Sequence, residues 1–165
     1  MSRFVIDLRV GPRTLQTAAE LTASVALCCG GAPPLLLIDE HLPYPAAILQ
    51  VFGVIRHGRR KRGRGRKKHP RLKPPPGLLV GVVGKIRDAT GNLLGVKTRG
   101  LFGSRRAITA RIAELGIGRQ INTSHVERPG GTLRGQQARL ARRTQSVSRR
   151  EPPLQWSLWL WRDLY

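Results

Sequence analysis

The sequence predicts an α/β fold, a mixed sheet flanked by helices. Three observations predict it. The elements alternate in the order strand, helix, strand, helix, strand pair, helix, helix. One run, "PLLLIDE" (34–40), is wholly apolar until two acids stop it, as suits a strand buried on both faces whose carboxyl end emerges into solvent. Helix signals with caps and glycine stops separate the strands. The chain has 165 residues, enough for one domain with one respectable core.

The elements follow in order. "RFVIDLRV" (3–10) alternates partly, carries β-branched residues and is closed by Gly11-Pro12, so it reads as a strand. Thr14 caps an expected helix over 15–29, with Leu15, Ala18, Ala19, Thr22 and Val25 at helical spacing and Gly30-Gly31 as its stop. After the apolar strand comes a helix over about 45–52, ended by Gly53. "GLLVGVVGKI" (77–86) and "NLLGVKTRGLF" (92–102) form a strand pair joined by "RDATG", a turn of hairpin type. Ser104 caps a helix over 105–115, which Gly116 ends. A basic helix is expected from Ser124 to about Thr144, and the aromatic end, with Trp156, Trp159 and Trp161, reads as core or interface.

Composition bounds the partners. Thirty Lys and Arg against nine acids give a formal charge of +21 and a pI near 11.9. So one-signed a charge implies a polyanion, and nucleic acid is the default for a chain of this size. At 40% apolar residues the chain is more than a disordered basic tail. The run "RHGRRKRGRGRKKHPRLK" (56–73) holds eleven Lys or Arg and no acid. It reads as a flexible basic loop, taken as 56–76, that orders on a phosphate backbone. Arg59, Arg60, Lys61, Arg62, Arg64, Arg66, Lys67 and Lys68 are its candidate DNA contacts. Adjacent Cys28 and Cys29 offer no zinc spacing and read as buried thiols in a reducing cytosol. The uncharged stretch 21–38 is cut by Gly30, Gly31, Pro33 and Pro34, so a membrane span is rejected. A soluble, cytoplasmic chain lying on the nucleoid is the expectation.

One acid, Glu127, stands among the arginines of "INTSHVERPGGTLRGQQARLARRT" (121–144). Ser124 and Glu127 match a capping box, in which each side chain satisfies a backbone amide of the other's turn. A sharper reading comes from resemblance. "RVGPRTLQTAAELT" (9–22), "LLLIDEHLPYPAAILQVFG" (35–53) and "INTSHVERPGGTLRGQQARLARRTQSVS" (121–148) together resemble the DDE transposases of bacterial insertion sequences, whose core is RNase H-like. The strand pair resembles that family more loosely, and the third motif is the most specific.

The resemblance implies an incomplete RNase H-like fold, covering 1–165, that cuts and joins DNA strands with Mg²⁺ or Mn²⁺. Such enzymes use two ions about 4 Å apart, and hard cations take carboxylate oxygen ligands. By motif position Asp39 is the second catalytic and metal-binding acid and Glu127 the third. Arg128 and Arg134 flank the DNA, and Arg139, Arg142 and Arg143 extend a phosphate track. The implied partners are transposon ends and a second copy, because transposition joins two ends and the Trp-rich tail offers a contact.

Departures from the family pattern accompany the match. The first acid falls at or before Met1, and Asp7 sits within its strand rather than ahead of it. The family's end-recognition region, a helix-turn-helix or zinc-binding unit, is not seen either. The Ser-Asp pair is Ile38-Asp39 here, and Pro129-Gly130-Gly131 follows Glu127-Arg128. Proline within a helix costs about 3 kcal/mol, so a kink or break just after Glu127 is expected. The expectation is therefore a truncated, catalytically impaired remnant that still binds DNA. The alternative class is a non-enzymatic basic nucleic-acid-binding protein, which accounts for the charge equally well but gives no reason for Asp39 or for "INTSHVER".

Overall fold

The computed structural model describes residues 5–57, 69–141 and 148–164. Its elements are α1 (Leu15–Cys28), β1 (Leu35–Asp39), α2 (Tyr44–Phe52), β2 (Val54–Arg56), β3 (Arg71–Lys73), β4 (Leu79–Arg87), β5 (Leu93–Phe102), α3 (Arg105–Glu114), α4 (Ser124–Gln136), a 3₁₀ turn (Ala138–Leu140) and α5 (Glu151–Leu164). The fold is mixed α/β. One sheet runs β1-β4-β5, with β1 parallel to β4 and β4 antiparallel to β5. A small antiparallel ribbon, β2-β3, brackets most of the basic run.

Strand alternation sorts the core into two faces. Leu36, Ile38 and Val80 point one way and pack on Ile48 and Phe52 of α2 and Ala26 of α1. Leu35, Leu37 and Val83 point the other way, onto Ile108 and Ile112 of α3 and onto Ile121. Gly81 lies where Ile121 and Leu37 close in, and a Cβ there would sit 2.9 Å from Ile121 Cγ2. A third cluster joins Leu133 of α4 to Leu158 and Trp161 of α5 and to Val5, Leu8 and Val10.

Local chemistry accounts for most boundaries. The Thr14 hydroxyl accepts from Thr17 N at 3.3 Å and opens α1. Gly30 and Gly31 close it at φ 57° and 79°, where Gly31 N donates back to Ala26 O. Ser104 caps α3 through Ala107 N, and Ile108 and Ile112, four residues apart, share its buried face. Pro152 and Pro153 sit in the first turn of α5, where the missing N–H groups have no helical partner to lose.

Several expectations are corrected. Residues 5–10 form no strand. Their backbone is held instead by one side chain of α5: Gln155 Oε1 accepts from Val10 N at 2.7 Å and Gln155 Nε2 donates to Leu8 O at 2.6 Å. A single amide supplies the donor and acceptor that a neighbouring strand would give, so no ladder is needed. Among the described residues β1 is an edge strand, and it is only half-buried because none of them pairs on its outer side. Cys28 is exposed and Cys29 half-buried, since both fall at the end of α1 where the chain turns away from the core. The N-cap of α4 is Thr123, one residue before the Ser124 that the capping box expected there, and Ser124 Oγ donates to Asn122 Oδ1 at 2.8 Å. The ends of the basic run, Arg56 and Arg71–Lys73, lie in strands rather than in a loop.

Pro129 does not end α4, which continues to Gln136. It stops there rather than near Thr144, because α5 holds its end. Trp161 Nε1 donates to Gln136 Oε1 at 2.6 Å, and Ser157 Oγ donates to Gln137 Oε1 at 2.9 Å. Gly130, Gly131 and Gly135 have open space where a Cβ would stand. Alanine at each should therefore stabilise the fold by up to about 1 kcal/mol, read as a raised urea midpoint. An unchanged or lowered midpoint would mean that these glycines serve a conformation other than this helix.

Among the described residues no helix is long and apolar enough to cross a membrane.

Candidate nucleic-acid interface

β1 ends at Asp39, opposite Val83 of β4. The chain then turns through Glu40 and His41 into α2, leaving an open cleft of about 720 Å³ at the strand end. Leu37 and Val83 line its apolar part, and Asp39, Glu40 and Tyr44 line one wall. Lys85 and Arg87 come from β4, Arg13 from the lead into α1, and Arg134 from α4. A smaller recess of about 170 Å³ continues from Asp39 and Arg13 to Arg9 and the start of α1. Among the described residues four Arg or Lys thus meet two carboxylates, a balance that favours a phosphate over a cation.

The acids differ in their engagement. Asp39 is exposed at the strand end. Glu40 faces Arg99 of β5 at 3.6 Å. Tyr44 stacks edge-on to His41 at 5.3 Å. Burial raises the Tyr44 hydroxyl above its ordinary value, the Asp39 charge adds to this, and Arg13 opposes it. Tyr44 is therefore a neutral hydrogen-bonding group in the cleft at physiological pH.

Asp7 lies elsewhere. Its side chain is 5% exposed and paired with Arg9 Nε at 2.7 Å. It also accepts from Ser24 Oγ at 2.7 Å and from Leu8 N at 2.8 Å. Burial raises its pKa, but the bonds from Ser24, Arg9 and Leu8 and the Arg9 charge outweigh that and leave it below 3.8. A depressed carboxylate stabilises the fold fully above its unfolded value and loses that contribution as pH falls through the folded value. Acid unfolding of Asp7→Asn should accordingly show a shallower loss of stability below about pH 4 than the parent. Parallel curves would show that Asp7 contributes nothing to acid sensitivity.

The sequence-derived candidates divide. Asp39 and Arg134 share the cleft. Arg128 and Arg139 are exposed on and just beyond α4. The Glu127 backbone sits in the opening turns of α4, and its side chain lies outside the described residues. Arg59, Arg60, Lys61, Arg62, Arg64, Arg66, Lys67, Lys68, Arg142 and Arg143 also lie outside them. Arg13, Lys85, Arg87 and Arg99 were not singled out by the sequence, although Lys85 and Arg87, two apart on one strand, share a face by simple alternation.

Metal fit is a question of donors. Among the described residues no three His, Cys, Asp or Glu gather to hold an ion. Glu40 is paired with Arg99, and four cations share the cleft. The described carboxylates do not by themselves make up a two-metal centre, and the expectation of Mg²⁺ or Mn²⁺ rests on Asp39 together with Glu127, whose side chain lies outside the described residues.

In comparisons with protein-family models, curated proteins and solved structures, nothing matches the chain.

Proposed function

We propose that this chain binds DNA through the basic cleft at the end of β1, as a core of the DDE transposase type with impaired strand transfer. The observation that carries the reading is the cleft itself, in which Arg13, Lys85, Arg87 and Arg134 surround Asp39 at a strand end. Carboxylates serve in-line phosphodiester chemistry by holding the metal ions, and Asp39 stands exposed at the end of its strand. Phosphate backbone contacts supply most of the affinity, and the base sequence adds little to them. Asp39 and Glu127 are the pair toward Mg²⁺ or Mn²⁺. Catalysis is weak in this reading because Asp7, the acid nearest the family's first position, is held by Ser24 and Arg9 away from the cleft.

The test is salt-dependent binding of a labelled duplex, run beside a nicking assay with Mg²⁺. The reading expects steeply salt-dependent binding without nicking. Nicking that is lost on Glu127→Ala would overturn the impaired half, and no binding at low salt would overturn the whole.

The other class, a basic protein that coats nucleic acid without a site, is favoured by the +21 charge alone. Replacing residues 58–68 by a Gly/Ser segment separates the two. A coating protein loses its binding, whereas the cleft retains it with a shallower salt slope.

A further inference from the structure

β1 stops opposite Val83, so among the described residues β4 has a partner on one side only from Gly84 onward. Residues 84–87 and 93–97 form a two-stranded ribbon that runs past the third strand and away from the core. Lys85, Ile86 and Arg87 are exposed on one strand, and Leu93, Leu94 and Val96 on the other. The register slips between Ile86 and Arg87, which leaves Leu94 as the extra residue of a β-bulge, 68% exposed. Bulges of this kind redirect a side chain and tighten the local twist.

The tip is fixed. Asp88 accepts from Thr90 N at 3.0 Å, from Thr90 Oγ1 at 2.7 Å and from Asn92 N at 2.7 Å. Arg87 Nη1 spans the turn to Gly91 O at 2.6 Å. A fixed turn lowers the ordering cost of binding. Apolar side chains displayed on a projecting strand are an aggregation hazard unless something covers them.

Charge decides what covers them. Lys85, Arg87 and Lys97 lie along the ribbon, and its one acid, Asp88, is occupied by its own turn. A second copy would bring another +21 against the first. A duplex brings phosphates. The ribbon extends about 13 Å at about 3.3 Å per residue. A major groove about 8.5 Å deep and 12 Å wide admits a two-stranded ribbon. Its root also lies against the cleft, since Lys85 and Arg87 line both.

We infer that the β4-β5 ribbon enters the DNA major groove, with Leu94 and Val96 against thymine methyl groups, while the cleft holds the adjoining backbone. The inference rests on the DNA-binding reading above and adds to it a groove, an element and a base preference. Phosphate contacts carry no sequence information, whereas an apolar contact with the thymine methyl does.

The experiment compares binding of two A·T-rich duplexes that differ only in carrying thymine or deoxyuridine. The parent chain should prefer thymine by about four-fold for each methyl covered, the worth of one buried methyl group. Leu94→Asn and Val96→Asn should close that gap and leave the salt slope unchanged, with urea midpoints confirming that both variants fold. Duplex binding that is indifferent to the methyl would overturn the ribbon and leave the cleft standing. Failure of the parent to bind either duplex would overturn both. Sedimentation showing a dimer that Leu94→Asn dissociates, with DNA affinity untouched, would make the second copy the occupant and overturn the inference as well.

Discussion

Trp161→Ala is expected to lower the free energy of unfolding by about 3–5 kcal/mol, the usual cost of truncating a buried aromatic side chain. Trp161 is 7% exposed and packs with Leu133 and Leu158. Its indole N–H also donates to Gln136 Oε1, so truncation leaves that acceptor without this partner. It borders an apolar cavity of about 420 Å³ between α1, β1 and α4, which the loss would enlarge rather than refill. The consequence reaches the cleft. Trp161 holds the C-terminal end of α4, and α4 carries Arg134. DNA affinity should therefore fall together with stability. Trp156→Ala is the control, because that side chain is 63% exposed and should change stability by no more than about 0.5 kcal/mol. Urea unfolding followed by circular dichroism measures both variants. Equal effects would show that α5 is not docked through Trp161.

The second expected result concerns the cleft. Arg13→Ala and Arg134→Ala should each weaken duplex binding several-fold, and together by about 30-fold, which is about 2 kcal/mol. Each removed phosphate contact should also lower the slope of log K against log salt by about 0.9. The two residues come from opposite ends of the chain and meet only at the end of β1. Both are exposed, so their loss should leave the fold intact. Arg162→Ala, whose guanidinium pairs with Asp163 at 2.6 Å, should leave binding unchanged. If all three variants behaved alike, binding would follow total charge, and the cleft would have no special part in it.

Short-range chemistry was legible in the sequence. Thr14 and Ser104 cap helices, Gly30-Gly31 stops one, and 79–102 folds back as a hairpin, because each depends on neighbours within a few residues. The apolar run before Asp39 predicted a strand whose acid emerges at its end, and β1 ends there. Of the candidate site, Asp39 and Arg134 were legible through motif position, whereas Arg13 and Lys85 were not. Their place in the cleft depends on which elements lie side by side, and one sequence does not contain that information.

The failures have the same origin. Residues 5–10 have the composition of a strand, but Gln155, far along the chain, takes up their backbone groups. Pro129 carries a local helix penalty, but packing of Leu133 and the bonds from α5 outweigh it and move the end of α4 to Gln136. Cys28 and Cys29 look like core thiols by residue type, yet they fall where α1 leaves the core. By itself, then, the sequence determined the charge, the capped helices, the hairpin and the strand ending in an acid, all of which are set by composition or by near neighbours. The tertiary structure alone decided which cations surround Asp39 and where α4 stops, because those outcomes are settled by contacts between segments distant in sequence.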